Sequence, residues 1–158
     1  REESMGAEEN IQSLGLDLPP APAPVGAYVP YVLSGSLLFI SGQIPLREGN
    51  MLHPGKVSRE VGVEEAQECA RQCFLSALAQ AKAALGSLDR VARVVRMSGF
   101  VASSEGFTDQ AVVMNAASEM AVQVFGDAGT HARLAIGVAE LPLGASVELE
   151  VILEVNGK

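Results

Sequence analysis

The most regular alternation of apolar and polar positions lies between residues 63 and 85. Val63, Ala66, Ala70, Cys73, Phe74, Ala77, Leu78, Ala81 and Leu85 recur at intervals of three and four, the rhythm of a helix burying one face. Glu64 and Glu65 complement the positive end of its dipole, and Gly86 is placed to terminate it. A second helix is predicted from about Thr108, taken as its N-cap, with Phe107 and Val112 as a hydrophobic staple. It turns Met114, Ala117, Ala121 and Phe125 inward and ends at Gly126. Strand patterns occupy 28–33 and 37–44, joined by the hairpin-type turn Ser34-Gly35-Ser36, and then 91–102, 133–140 and 146–155. Arg47-Glu48-Gly49-Asn50 marks a further turn, 51–58 an irregular connection, and Leu141-Pro142-Leu143-Gly144 the link before the last strand. The order β-β-α-β-α-β-β predicts an α+β fold, two helices on one face of a mainly antiparallel sheet.

The strand faces carry a second message. In the last strand Val147, Leu149, Val151, Leu153 and Val155 share one side, while Glu148, Glu150, Ile152 and Glu154 share the other. Two other strands are apolar on both sides: Leu38 and Ile40 against Leu37 and Phe39, Val94 and Phe100 against Val95 and Val101. Strands of that kind are covered on both faces. With only two helices, both on one face, the second face is expected to be covered by further copies of the chain in a closed homo-oligomer.

Ahead of this core, residues 6–18 form a short amphipathic lead-in with Ile11, Leu14, Leu16 and Leu18 as its apolar positions. Prolines 19, 20, 22 and 24, four of the eight in the chain, then impose an extended surface path. The 158 residues are enough for one domain. The division is an N-terminal extension and Pro-rich lead-in over 1–23, then a single domain over 24–158. Whether Arg1–Ser4, ahead of Met5, belong to the native chain is open. Eleven basic and nineteen acidic residues leave a charge of −8, which disfavours nucleic acid and anionic membrane surfaces as partners. No stretch reaches the roughly 18 uninterrupted apolar residues of a membrane span. Cys69 and Cys73 are the only thiols, four apart within a helical pattern. They read as small buried residues of a cytoplasmic protein in a reducing compartment, and two Cys alone make no structural zinc site.

Phosphate-loop, dinucleotide, zincin and nucleophile-elbow fingerprints are all missing from the sequence. His53 and His131 are far apart and read as loop or strand-edge residues rather than ligands. The candidates for chemistry are isolated polar residues in apolar segments. Arg133 opens a strand whose next six residues are uncharged; it is either an edge charge reaching solvent or a fork for a carboxylate. Glu148 lies on the helix-remote face of the last strand. Tyr28 follows Gly26-Ala27, Ser41-Gly42 ends an apolar strand, and Asn115 interrupts an apolar helix.

The segments Pro24-Val25-Gly26-Ala27-Tyr28, Ile40-Ser41-Gly42-Gln43-Ile44-Pro45, Asn115, Arg133 through Leu141-Pro142, and Val147-Glu148-Leu149-Glu150 together resemble the YjgF/RidA family, also called reactive intermediate deaminase or endoribonuclease L-PSP. The resemblance runs in order from about Pro24 to Val155. The additional pieces Leu14-Gly15-Leu16, Gly55-Lys56-Val57 and Phe125-Gly126-x-x-Gly129-x-His131-x-Arg133 look like a divergent branch. It implies a chorismate-mutase-like fold, a homotrimer whose sheets form an inner barrel, and sites in clefts between subunits. The implied activity is cofactor-free, metal-free hydrolysis of enamine and imine acids such as 2-aminoacrylate to a 2-keto acid and ammonia. By position, Arg133 would hold the substrate carboxylate and Glu148 would activate water. Tyr28, Ser41, Gly42 and the backbone at Ala135 would line the cleft, with Asn115 bracing it. Two departures stand out: Ala135 replaces the Cys that many of the family's deaminases carry two residues past the Arg, and His131 stands where the archetype usually has Pro. The alternatives are a non-catalytic binder of small carboxylates in the same cleft and, from the family label, a ribonuclease that the acidic charge disfavours.

Overall fold

A computed structural model describes residues 5–157; the question of Arg1–Ser4 lies outside them. The chain runs α1 (Ala7–Ser13), β1 (Tyr31–Ser34), β2 (Leu37–Gln43), β3 (Leu46–Arg47), β4 (Asn50–Met51), α2 (Val63–Leu85), β5 (Val91–Ala102), α3 (Gln110–Phe125), β6 (Ala132–Val138) and β7 (Val147–Val155). Five strands form one sheet in the order β1-β2-β7-β5-β6, and β3 pairs with β4 as a small separate ribbon around the Arg47–Asn50 turn. Every pairing in the large sheet is antiparallel except β5 with β6, which run parallel because α3 crosses between them. This is the mainly antiparallel α+β arrangement that the order of elements predicts.

The long helix α2 begins and ends where its pattern does. The Glu65 carboxylate accepts the Gly62 N–H at 3.0 Å, satisfying one orphan donor of the first turn. Gly86 takes φ 84°, a left-handed cap, and its N–H reaches the Lys82 carbonyl. Between these ends Ala66, Ala70, Phe74, Ala77, Leu78 and Ala81 are buried together with Val147, Leu149, Val151 and Leu153 of β7. Cys69 and Cys73 are free and buried, their thiols turned to the carbonyls of Leu52 and Val147. Burial pushes the Cys69 thiol up to about 11, so neither side chain is a ready nucleophile.

Three expectations are corrected. The lead-in forms a third helix: Ala7 and Ile11 of α1 belong to the common core, and the Asn10 amide donates to the Val124 carbonyl of α3 at 2.7 Å. The first strand starts at Tyr31, because the chain bends over residues 25–28, where the Tyr28 hydroxyl accepts the Val25 N–H. Helix α3 starts two residues after Thr108, with Asp109 as N-cap and no side-chain cap bond. Val112 is 41% exposed, so no staple forms. The turn through Gly106 brings Phe107 back onto the core, and the Gln110 amide ties that bend by donating to the Phe107 carbonyl. Although consecutive in sequence, β6 and β7 are not neighbours, since β5 lies between them.

The helices cover one sheet face. On the other, Phe39 opposes both Val32 and Ile152, and Phe100 opposes Ile136. Phe39, Val32 and Ile136 are 41%, 51% and 46% exposed in the single chain. The two-sided apolar character of the strands is therefore real, and one side of it is open.

Candidate functional site

Arg133 is the second residue of β6, an edge strand of the sheet. It lies beside Met97 of β5, while Ala135 and Gly137 lie beside Gly99 and Val101. Met97 and Val101 are fully buried under the helices, so Arg133, Ala135 and Gly137 share the helix-covered face. From there the Arg133 side chain reaches α3. Its Nη1 donates to Asn115 Oδ1 at 3.0 Å and to Ser118 Oγ at 3.1 Å. Asn115 and Ser118 are three residues apart and therefore adjacent on the helix surface. Both Nη1 hydrogens are thereby engaged. Among the described residues no hydrogen bond or ion pair occupies Nε or Nη2, the edge of the guanidinium that meets a carboxylate side-on.

Glu148 is part of a different grouping. It pairs with Phe100 of β5, three positions along from the Met97 level of Arg133 and one strand further across the sheet. Its side chain leaves the opposite, helix-remote face. The β2–β7 register shifts between Ile40 and Gln43, and this bulge brings Gly42 over Glu148. A Cβ at Gly42 would stand 3.1 Å from the Glu148 carboxyl carbon, so the glycine leaves room for the carboxyl. Glu148 is half-buried, and burial first, then the nearby Glu150 charge, pushes its carboxyl above the usual range.

Ser41 and Tyr28 organise the strap beside this carboxyl. Ser41 Oγ donates to the Val29 carbonyl at 2.7 Å, and the Ser41 N–H to the Pro30 carbonyl. The Tyr28 hydroxyl accepts the Val25 N–H at 3.1 Å, and the residue is 47% exposed. Gln80 of α2, almost wholly buried, donates to the Pro22 carbonyl at 2.6 Å and anchors the strap from below. A small cavity between strap and sheet is lined by Pro24, Val25, Tyr28, Gly42, Gln43 and Gln80.

The single chain thus assembles two part-sites: Arg133 with Asn115, and Glu148 with Gly42, Ser41 and Tyr28. It does not bring them together. Ala135 is half-buried against the core beneath α3 and contributes no polar side chain. Sequence reasoning missed Ser118, a lone hydroxyl in a helix, and Gln80, whose buried amide reads as an ordinary helix residue. Among the described residues no three His, Cys, Asp or Glu side chains are grouped to hold a metal, and no helix is long and apolar enough to cross a membrane.

Comparison with known proteins agrees with this architecture. The model of the family described as "YjgF/chorismate mutase-like, putative endoribonuclease" matches residues 8–154, so the match includes most of α1. Protein TCP17 of Trypanosoma cruzi is 47% identical over 148 residues, covering 93% of this chain and 92% of that protein. The crystal structure of Atu1372 from Agrobacterium tumefaciens, a protein of unknown function, superposes with a TM-score of 0.89 at 44% identity, over 95% and 92% of the two chains. The structure of Escherichia coli TdcF with bound serine superposes less closely, with a TM-score of 0.62 at 27% identity over 87% and 94%. With the family's model matched over residues 8–154 and its sheet and helices in the matching arrangement, this chain belongs to the YjgF/chorismate-mutase-like family.

Proposed function

We propose that the protein hydrolyses small enamine and imine acids, of the 2-aminoacrylate and 2-iminopropanoate type, to 2-keto acids and ammonia, in a cleft between two copies of the chain within a closed trimer. The observation that carries this reading is the state of Arg133: Nη1 is tied back to α3 while Nε and Nη2 remain open, a fork matched to one carboxylate. A small α-carboxylate is also what E. coli TdcF holds as serine. The open apolar sheet face supports the assembly, and a neighbouring copy would supply the Glu148 part-site that the fork lacks within its own chain.

The chemistry suits such sparse machinery. An imine carbon is already electrophilic, so a held water and a proton carrier suffice once the carboxylate is anchored. The water oxygen bonds to the imine carbon as Glu148 takes its proton. That proton is returned to nitrogen, giving the carbinolamine. The hydroxyl proton then passes to nitrogen by way of the same carboxyl as the C–N bond breaks, so that ammonia leaves and the carbonyl of the keto acid forms. An enamine acid enters as its imine tautomer. A carboxyl pushed up by burial carries a proton closer to neutrality than an ordinary one, which favours both halves of the transfer.

Ala135 favours a second reading, a non-catalytic binder of small carboxylates in the same cleft, because it offers no thiol beside the Arg. RNA cleavage fits the −8 charge poorly. The deciding experiment generates 2-aminoacrylate in situ and follows pyruvate and ammonia. Release faster than in buffer, and abolished by Arg133→Ala, supports hydrolysis. Saturable pyruvate binding without turnover supports the binder. Neither turnover nor binding overturns both.

A further inference from the structure

Behind the Arg133 fork lies a chain of hydrogen bonds whose direction is set by one backbone carbonyl. His131 Nδ1 is 2.6 Å from the Gly129 carbonyl oxygen. A carbonyl only accepts, so Nδ1 carries the hydrogen, and Nε2 of the neutral ring is left as an acceptor. Nε2 lies 2.8 Å from Ser118 Oγ. The Ser118 hydroxyl therefore donates to His131, which turns its lone pairs toward Arg133 Nη1, 3.1 Å away. Without the His131 acceptor, the hydroxyl of a helical serine is free to rotate onto a carbonyl of the preceding turn.

We infer that His131 and Ser118 are positioning residues: together they aim the Arg133 guanidinium, so that its Nε–Nη2 edge is presented at a fixed angle to the substrate carboxylate. The inference rests on Arg133 being the carboxylate anchor. It adds a second tether to that of Asn115, and two tethers on one nitrogen fix the plane of the guanidinium where a single bond would leave it free to swing. The short turn Gly126–Gly129 between α3 and β6 supplies the other end of the relay. Gly129 is buried, and a Cβ on it would collide with the Ala121 carbonyl of α3. That close packing holds the carbonyl which fixes the His131 tautomer. The relay is thus built into the segment where this chain departs from the deaminase archetype.

The test compares wild type, Ser118→Ala, His131→Phe and His131→Gln by steady-state kinetics on in situ 2-aminoacrylate, by pyruvate binding, and by NMR of the Arg133 guanidinium and the His131 ring nitrogens. A Gln carbonyl can take the place of Nε2 as acceptor for Ser118, whereas Phe cannot. Ser118→Ala and His131→Phe should raise KM and the pyruvate Kd about tenfold with kcat within about twofold, and His131→Gln should recover most of the loss. In wild type, His131 should show the Nδ1–H tautomer and Arg133 a slowly rotating guanidinium, with rotation freed in Ser118→Ala and His131→Phe. Equal KM, Kd and rotation in all four proteins, with Arg133→Ala still inactive, would overturn the relay and leave the proposed activity standing. If wild type neither turns over nor binds pyruvate, the proposed activity fails, and the tautomer and guanidinium rotation alone decide whether the relay exists.

Discussion

Arg133 and Glu148 leave opposite faces of one sheet, two strands apart and three residues out of step. At a strand spacing of about 4.8 Å and a rise of about 3.3 Å per residue, their α-carbons are separated by roughly 10 Å in each direction. No rotamer change brings both to one small substrate. If both serve one reaction, the partner for each comes from another copy of the chain.

For the proposed reaction, that relationship would make turnover depend on assembly. Phe39, on the open face, should be covered in the oligomer. Wild type should run in sedimentation as a multiple of 16.5 kDa, and Phe39→Glu should yield a folded monomer without turnover. A monomeric, active wild type would refute the intersubunit site.

Replacing the Arg133 fork should reveal geometry as well as charge. Arg133→Ala removes both and should leave no turnover above buffer, the outcome of losing a paired charge-assisted contact with the substrate. Arg133→Lys keeps a point charge but no bidentate edge, and should fall between the two. Initial rates against substrate concentration separate the three proteins.

Glu148→Gln should lower kcat by about 10²–10⁴-fold if the carboxyl carries the proton. Stability should move the other way. Because burial and Glu150 raise its carboxyl, the folded chain binds that proton more tightly than the unfolded chain. The favourable contribution is complete below the ordinary carboxylate range and is lost as pH rises through the elevated value. At pH 7.5 the ionised group is held at a cost that Gln avoids, so the variant should melt higher. The difference should vanish below about pH 4. Thermal unfolding of both proteins across pH 3–8 checks this.

Gly99 permits α3 to approach β5. A Cβ there would lie 2.5 Å from Met114 Cγ and 2.6 Å from Sδ. Gly99→Ala should destabilise by about 1–3 kcal/mol through overpacking, and Met114→Ala by about 2–5 kcal/mol through the cavity it leaves. The double variant should lose clearly less than their sum, because the added methyl occupies vacated space. Denaturant unfolding of the three variants measures the coupling.

Local pattern carried a large part of this fold. The expected bounds of α2 coincide with Val63–Leu85, and those of β5 with Val91–Ala102, because a long 3.6-residue rhythm ending in Gly and a long β-branched run both act on near neighbours. The two-sided apolar strands also announced an uncovered face. Where short side-chain signals had to compete with chain path, they lost: the cap assigned to Thr108 gave way to the bend that returns Phe107 to the core, and the strand expected from Tyr28 to the bends over 25–28.

What the amino-acid order determined by itself was the set of elements and the parity of each strand, since alternation separates Val147 from Glu148 whatever surrounds them. It could not say which strand lies beside which. Only the folded chain placed β5 between β6 and β7, ran β5 and β6 parallel, and turned Arg133 toward α3, where Ser118 ceases to be an ordinary helical hydroxyl. Those facts come from contacts between residues far apart in sequence, and such contacts form through burial and hydrogen bonding in three dimensions, which no local periodicity encodes.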